Sequence, residues 1–221
     1  MKPEYDADLV AYYTARAEEY EAIYRRDDPL RQTELSEIST GITELMTGRH
    51  VLEIACGTGY WTEIAARSAA RIVAIDVSAG MLEHAFKKNL PAEKVEFRLA
   101  DAYNIDAVEG DFNAGLANFW LSHVPRQRLD AFLNNFHRRL GSGAVVFMAD
   151  NVFVAGCGGD LVHYPGGEDT YKLRTVASGQ SFKIIKNYYT EVELRKLFKS
   201  RTEDLWITFG QFYWWLSYVI K

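Results

Sequence analysis

The chain has 221 residues, 48% of them hydrophobic and 25% charged, which is the composition of one globular domain and excludes a disordered chain. Lys and Arg number 25 against 30 Asp and Glu, a net charge of −5. Such a chain has no overall attraction for polyanions, so a dedicated nucleic-acid or anionic-membrane binder is disfavoured. The two cysteines, Cys56 and Cys157, are too few for a disulfide framework or a thiolate zinc site.

Leu9, Tyr13, Ala17, Tyr20 and Tyr24 recur at helical spacing, with Asp6 and Asp8 as candidate caps. Asp28-Pro29 places an N-cap before a Pro at the first position of a second helix, whose apolar stripe is Leu35, Ile38, Ile42 and Leu45. HVLEI is then a buried strand closed by Cys56-Gly57-Thr58-Gly59, and a helix from about Tyr60 to Ala69 follows. RIVAID is a second strand, after which Ser78 caps a helix bearing Met81, Leu82, Ala85 and Phe86. VEFRL and FNAGLAN are the third and fourth strands. A helix with Leu129, Phe132, Leu133, Phe136 and Leu140 ends at Gly141, and AVVFMA is the fifth strand. Continuous apolar strands alternating with amphipathic helices imply a parallel sheet covered on both faces.

Residues 151–180 are rich in Gly and polar groups and show no period, so a long functional or mobile loop is expected there. Thr190 and Glu193 form a capping box before Leu194, Leu197 and Phe198. LWITFG and QFYWWLSYVI read as two strands joined at Gly210, which must be antiparallel. The start MKPEYDADLV has no apolar signal core, and FYWWLSYVI is far short of the ~20 residues that span a bilayer. A cytoplasmic protein without a membrane partner is expected, as monomer or homodimer.

The segment VLEIACGTGYWT carries the chemistry. Gly57 and Gly59 let the backbone turn sharply and approach a ligand at the carboxyl end of the first strand, where open α/β sheets bind ligands. Glu53, just before the turn, suits an ammonium and would repel a pyrophosphate. Thr62 also stands where a dinucleotide fingerprint wants its third Gly. Asp76 ends the second strand 19 residues after Gly57, a position that takes ribose hydroxyls. Asp101-Ala102 follows the third strand, where a carboxylate can accept from an exocyclic amine. Three consecutive strand ends thus fit one nucleoside with a charged amino-acid tail.

On these residues the chain resembles the class I S-adenosylmethionine-dependent methyltransferases, by motif over about residues 48–150, with the terminal hairpin in keeping. The resemblance implies an α/β Rossmann-like three-layer sandwich. Its seven-stranded, mostly parallel sheet would carry an antiparallel C-terminal hairpin, with N-terminal helices added. One domain, 1–221, would comprise a helical cover (1–47), a cofactor-binding half (48–150) and a substrate-side loop with the hairpin (151–221). It implies S-adenosylmethionine as cofactor and S-adenosylhomocysteine as product. Glu53, Gly57 and Gly59 would surround the methionine end. Asp76 would take the ribose, Val77 and Met81 would flank the adenine, and Asp101 and Ala102 would meet its amine. Asn118 would face the methyl group. Ala55 stands where many members have Gly, a small change. The YY-x-x-R-A-x-x-Y start, F-W-L-S-H-V and K-N-Y-Y resemble small bacterial members of unassigned substrate.

The acceptor side is read from composition. Asn118-Phe119-Trp120-Leu121 lacks the Pro-Pro-aromatic run usual in nucleic-acid amino methyltransferases, so a small organic acceptor, methylated at O or N, is expected. Tyr12, Tyr13, Arg16, Tyr20 and Trp120 are candidate acceptor contacts, and Tyr164, Tyr188 and Tyr189 are further aromatics for such a site. Arg174, Lys183 and Lys186 concentrate cations suited to an anionic acceptor. His123, just beyond the fourth strand, is the candidate base. Asp150-Asn151 resembles the acid–amide pair of metal-dependent catechol methyltransferases, but the other acids of that set are missing and no metal is expected. Nucleic-acid or protein methylation, a non-catalytic cofactor-binding module, aminopropyl transfer and nicotinamide chemistry are the alternatives weighed.

Overall fold

Apolar runs that alternate with amphipathic helices must stack as parallel strands, and the computed structural model, which describes residues 4–221 and side chains from 7 onward, has that arrangement. Helix α1 (Glu4–Arg16) passes into a 3-10 helix (Ala17–Arg25), and α2 is Pro29–Met46. Then come β1 (His50–Ile54), α3 (Tyr60–Ala65), β2 (Arg71–Asp76), α4 (Ala79–Phe86), β3 (Val95–Leu99), β4 (Ala114–Asn118), α5 (Arg126–Leu140) and β5 (Val145–Asn151). After β6 (Leu161–His163), β7 (Thr170–Thr175) and β8 (Ser181–Ile185), the chain closes with α6 (Glu191–Phe198), β9 (Thr202–Phe209) and β10 (Tyr213–Ile220).

The main sheet has seven strands in the order β3-β2-β1-β4-β5-β10-β9. Strands β1 to β5 are mutually parallel, and β10 is antiparallel to both its neighbours, so β9 runs with the first five. Strands buried on both faces explain the unbroken apolar runs. One face packs Leu52, Ile54 and Val146 against Phe132 and Phe136 of α5. The other packs Val51, Ile72 and Leu116 against Ile38 and Ile42 of α2 and Trp61 of α3. The three-layer sandwich is the one expected.

Four local expectations change. Asp8 lies inside α1, which begins at Glu4, so it is no cap; the Asp6 side chain lies outside the described residues. The first helix is not uniform but tightens to 3-10 from Ala17. The helix after β1 ends at Ala65, and turns carry the chain on to Ala69. The expected loop 151–180 contains most of a three-stranded antiparallel sheet, β6-β7-β8. Its pattern is inverted: Lys172 points inward, 1% exposed, while the adjacent Leu173 is 57% exposed. The Lys172 ammonium is held by the Cys157 carbonyl at 2.8 Å and lies 5.6 Å from the centre of the Tyr188 ring. A cation in the apolar slot hides the strand period.

The hairpin turn is stapled to α2. Buried Glu34 accepts from the N–H groups of Gln211 (2.6 Å), Phe212 (3.0 Å) and Tyr213 (3.0 Å). Gly210 permits this, since a Cβ there would collide with the Glu34 carboxyl. Glu34→Ala is expected to destabilise the protein by about 1.5–3 kcal/mol, read as a lower urea midpoint; an unchanged midpoint would mean that water replaces the carboxylate. No helix among the described residues is long and apolar enough to cross a membrane.

Candidate active site

The carboxyl ends of β1, β2 and β4 meet below α1, and the turn after β1 shapes the meeting point. Gly57 and Gly59 have φ of 58° and 77°. A Cβ on Gly59 would press on Ala85 and Phe97 at 3.2 Å, so glycine serves both the turn and the packing. Ala55 has φ 52°. The change from Gly is therefore not free, because a left-handed alanine costs roughly 1–2 kcal/mol.

Asp76 closes the turn. Its Oδ2 accepts from the Gly57 N–H at 2.9 Å and its Oδ1 from the Ser78 N–H at 2.8 Å. Burial raises its pKa, and those N–H groups counter part of the rise. Ser78 caps α4 as expected, accepting from the Met81 N–H. Glu53 is 2% exposed and its Oε2 has no hydrogen-bond partner within normal distance; burial pushes its pKa up to about 8 against the pull of the neighbouring Thr62 hydroxyl, and the Asp76 charge adds to the rise. Glu53 pairs with Leu116 in register, so Glu53 and Asn118 project on the same face, one pleat apart. Both polar atoms of the buried Asn118 side chain also lack partners. Buried polar groups left unmatched in this way imply a polar ligand end.

Two cavities open from this region. The larger, about 490 Å³, is lined by Ala55, Gly57, Asp76, Val77, Met81, Asp101, Ala102 and Asn118. Glu53 and Gly59 are not among the residues that line it. Helix α1 forms its roof through Leu9, Val10 and Ala11, tied down by a 2.8 Å bond between Thr14 and Ser78. The smaller, about 130 Å³, is lined by four of the candidate acceptor contacts, Tyr12, Arg16, Arg174 and Lys186, and by Tyr188. Arg26, Arg31, Phe212 and Tyr213 line it too, without having been anticipated. Trp120 faces the larger cavity, not the acceptor side, and packs on Tyr103 and Phe132. Lys183, Tyr164 and Tyr189 line neither cavity.

Tyr13, Tyr20, Phe119 and His123 line both cavities and form the partition. Phe119 has φ 56°, an outlier for a bulky residue, fixed by its N–H to the Ala149 carbonyl at 2.6 Å. That backbone aims the ring onto Trp61 and edge-on to Tyr213. His123 is 3% exposed. Its Nδ1 donates to the Ile185 carbonyl at 2.7 Å, a partner that can only accept, so Nε2 accepts the Tyr13 hydroxyl at 2.7 Å. Burial, then the Lys186 charge, pulls the ring pKa down to about 3. The lone pair that a general base needs is thus engaged, and the expected free base is instead a support for Tyr13.

Lys186 reaches the acceptor side from a buried network. Its ammonium donates to Ser122 Oγ at 2.7 Å and Asp150 Oδ1 at 3.0 Å. Asp150 also accepts from the Ser122 and Asn151 N–H groups. Burial alone would raise the Asp150 pKa, but Lys186 and these donors outweigh it and hold the carboxyl below its usual range. Among the described residues, no three His, Cys, Asp or Glu side chains gather as metal ligands would.

Residues 51–143 match the family described as a methyltransferase domain. The chain is 26% identical to the cypemycin N-terminal methyltransferase of Streptomyces sp over 75% of this chain and 69% of that protein. It is 37% identical to the demethylmenaquinone methyltransferase of Clavibacter sepedonicus over 40% of this chain, but spans only 37% of that relative's length. Among solved structures, DhpI in its complex with SAH superposes with a TM-score of 0.76 at 26% identity, covering 96% of this chain and 95% of that one.

Proposed function

Because the chain belongs to the class I S-adenosylmethionine-dependent methyltransferase family, we propose that it methylates a small organic acceptor held in the smaller cavity, at oxygen or nitrogen. The observation that carries this reading is the pair of cavities sharing one partition, Tyr13, Tyr20, Phe119 and His123. When bound, S-adenosylmethionine supplies a methyl group on a cationic sulfur. The residues fit it. Asp76 and Asp101 lie at neighbouring strand ends for the ribose and the adenine amine, between Val77, Met81 and Ala102. The unmatched Glu53 Oε2 and Asn118 amide suit the amino-acid end.

The rest of the task falls to the chain as positioning. Transfer needs the acceptor in line at roughly 3 Å from the methyl group, so Tyr13, Tyr20, Phe119 and His123, which line both cavities, would border the opening where the two meet, with α1 excluding water. His123 holds the Tyr13 hydroxyl in place. An acceptor cavity of about 130 Å³ favours a small molecule over a nucleic acid or protein chain. The deciding experiment is a screen of small acceptors that reads S-adenosylhomocysteine formation. Turnover of a nucleic acid or folded protein alone would reject the small-acceptor reading.

Helix α1 lines the larger cavity and would close further over a bound cofactor. Amide exchange over residues 6–26 is therefore expected to slow when S-adenosylhomocysteine is added. Equal exchange with and without ligand would show that α1 is a fixed wall.

A further inference from the structure

The smaller cavity is cationic within a protein of net charge −5. Arg16, Arg26, Arg31, Arg174 and Lys186 line it, and no Asp or Glu does. Two of these charges are matched, Lys186 by Asp150 and Arg31 by Asp28 at 3.6 Å. Arg16 meets the neutral Tyr12 hydroxyl at 2.7 Å and the Tyr12 and Tyr20 rings, with no acidic partner among the described residues. Among the described residues, Arg26 and Arg174 have no acidic partner and the buried Arg174 Nε–H has no acceptor. Donors without acceptors around a cavity imply an acceptor-rich ligand.

None of the buried groups at the partition is free to take a proton. His123 Nε2 is taken by Tyr13, and Asp150 is occupied by Lys186 and Ser122. The Tyr13 and Tyr20 hydroxyls are buried, which holds them protonated. An acceptor that had to lose a proton would find no free buried base at the partition to take it.

Resting on the methyltransferase reading above, we infer that the acceptor is a compact oxyanion, a carboxylate, phosphonate or phosphate of a small molecule, methylated on the charged oxygen itself. A lone pair of that oxygen forms the O–CH3 bond as the S–CH3 bond breaks, and the electron pair of the broken bond returns to sulfur. The sulfonium becomes a neutral thioether, the oxyanion loses one negative charge, and no proton moves. The cations that hold the substrate therefore hold the ester product less tightly, which favours release. They also repel an ammonium, so a peptide amino terminus suits this cavity poorly.

The test begins with protein saturated in S-adenosylhomocysteine, titrated calorimetrically with propionate, propylphosphonate, propionamide and propylamine. The two anions should bind, and the amide and amine should bind at least about tenfold more weakly. Arg26→Gln and Arg174→Gln line only the smaller cavity. Each should weaken the anions about tenfold while leaving S-adenosylhomocysteine affinity unchanged. Preference for propylphosphonate that grows with pH, as the dianion forms, identifies a phosphorus oxyanion; preference for propionate identifies a carboxylate. Equal binding of propionamide or propylamine overturns the inference. So does a turnover rate that rises with pH between about 6 and 9 on a fully ionised acceptor and loses that rise in His123→Asn. Failure of S-adenosylhomocysteine to bind would instead remove the methyltransferase reading, whereas its binding without the anions would remove only the oxyanion.

Discussion

Asp150→Ala is expected to destabilise the protein by about 3–5 kcal/mol, because it strands a buried ammonium. Lys186 is 4% exposed and would keep only the Ser122 hydroxyl as a partner. The Ser122 and Asn151 N–H groups would lose their acceptor as well. Urea denaturation measures the loss; a change below about 1 kcal/mol would mean that water reaches the site. The pH dependence has a definite sign. A carboxyl held below its ordinary value stabilises the fold above the unfolded pKa, near 4. That stability is lost as pH falls through the lower folded value. The network also anchors β8 beside the partition, so acceptor binding should fall with stability.

Asp76→Ala should weaken S-adenosylhomocysteine binding by roughly 10- to 150-fold, the loss of about 1.5–3 kcal/mol in hydrogen bonds to a charged group. Two causes combine in that figure. The carboxylate accepts from the Gly57 and Ser78 N–H groups and shapes the turn, and it stands where ribose hydroxyls would reach its remaining lone pairs. Asp76→Asn can keep one acceptor and separates the two causes by retaining part of the affinity. Unchanged affinity in a folded Asp76→Ala protein would remove Asp76 from the cofactor site.

The lining of the larger cavity was legible in the sequence because its residues are local. Asp76 ends β2, and Gly57 and Asp101 lie just beyond the ends of β1 and β3, so period and turn chemistry place them together. The acceptor half was not, because it is built from contacts between distant segments. Arg31 reaches Tyr213 across 182 positions, and Tyr13 reaches His123 across 110. Nothing near Arg26 or Arg31 signals that the start of α2 meets the hairpin turn. Trp120 and His123 share one segment, yet a 3-10 turn (Leu121–His123) separates them, and the indole ends in the larger cavity only. The sheet hidden in 151–180 escaped because Lys172 occupies an inward slot whose polar end is met by a carbonyl and aromatic rings, none of which sequence spacing reveals.

The central claim is that the larger cavity takes the cofactor with its amino-acid end at Glu53, and proton-linked calorimetry tests it most directly. With a pKa of about 8, Glu53 is mostly protonated at pH 7 in the free protein. An ammonium beside it favours the carboxylate, so binding must expel that proton. Titration with S-adenosylhomocysteine at pH 7, in buffers of different ionisation enthalpy, should show one site, micromolar affinity and release of about one proton. Affinity should rise with pH up to about 8, where free Glu53 itself loses its proton, and Glu53→Gln should abolish both the proton release and that rise. Absence of binding, or binding of equal strength in Glu53→Gln with no proton released by either protein, would contradict the account.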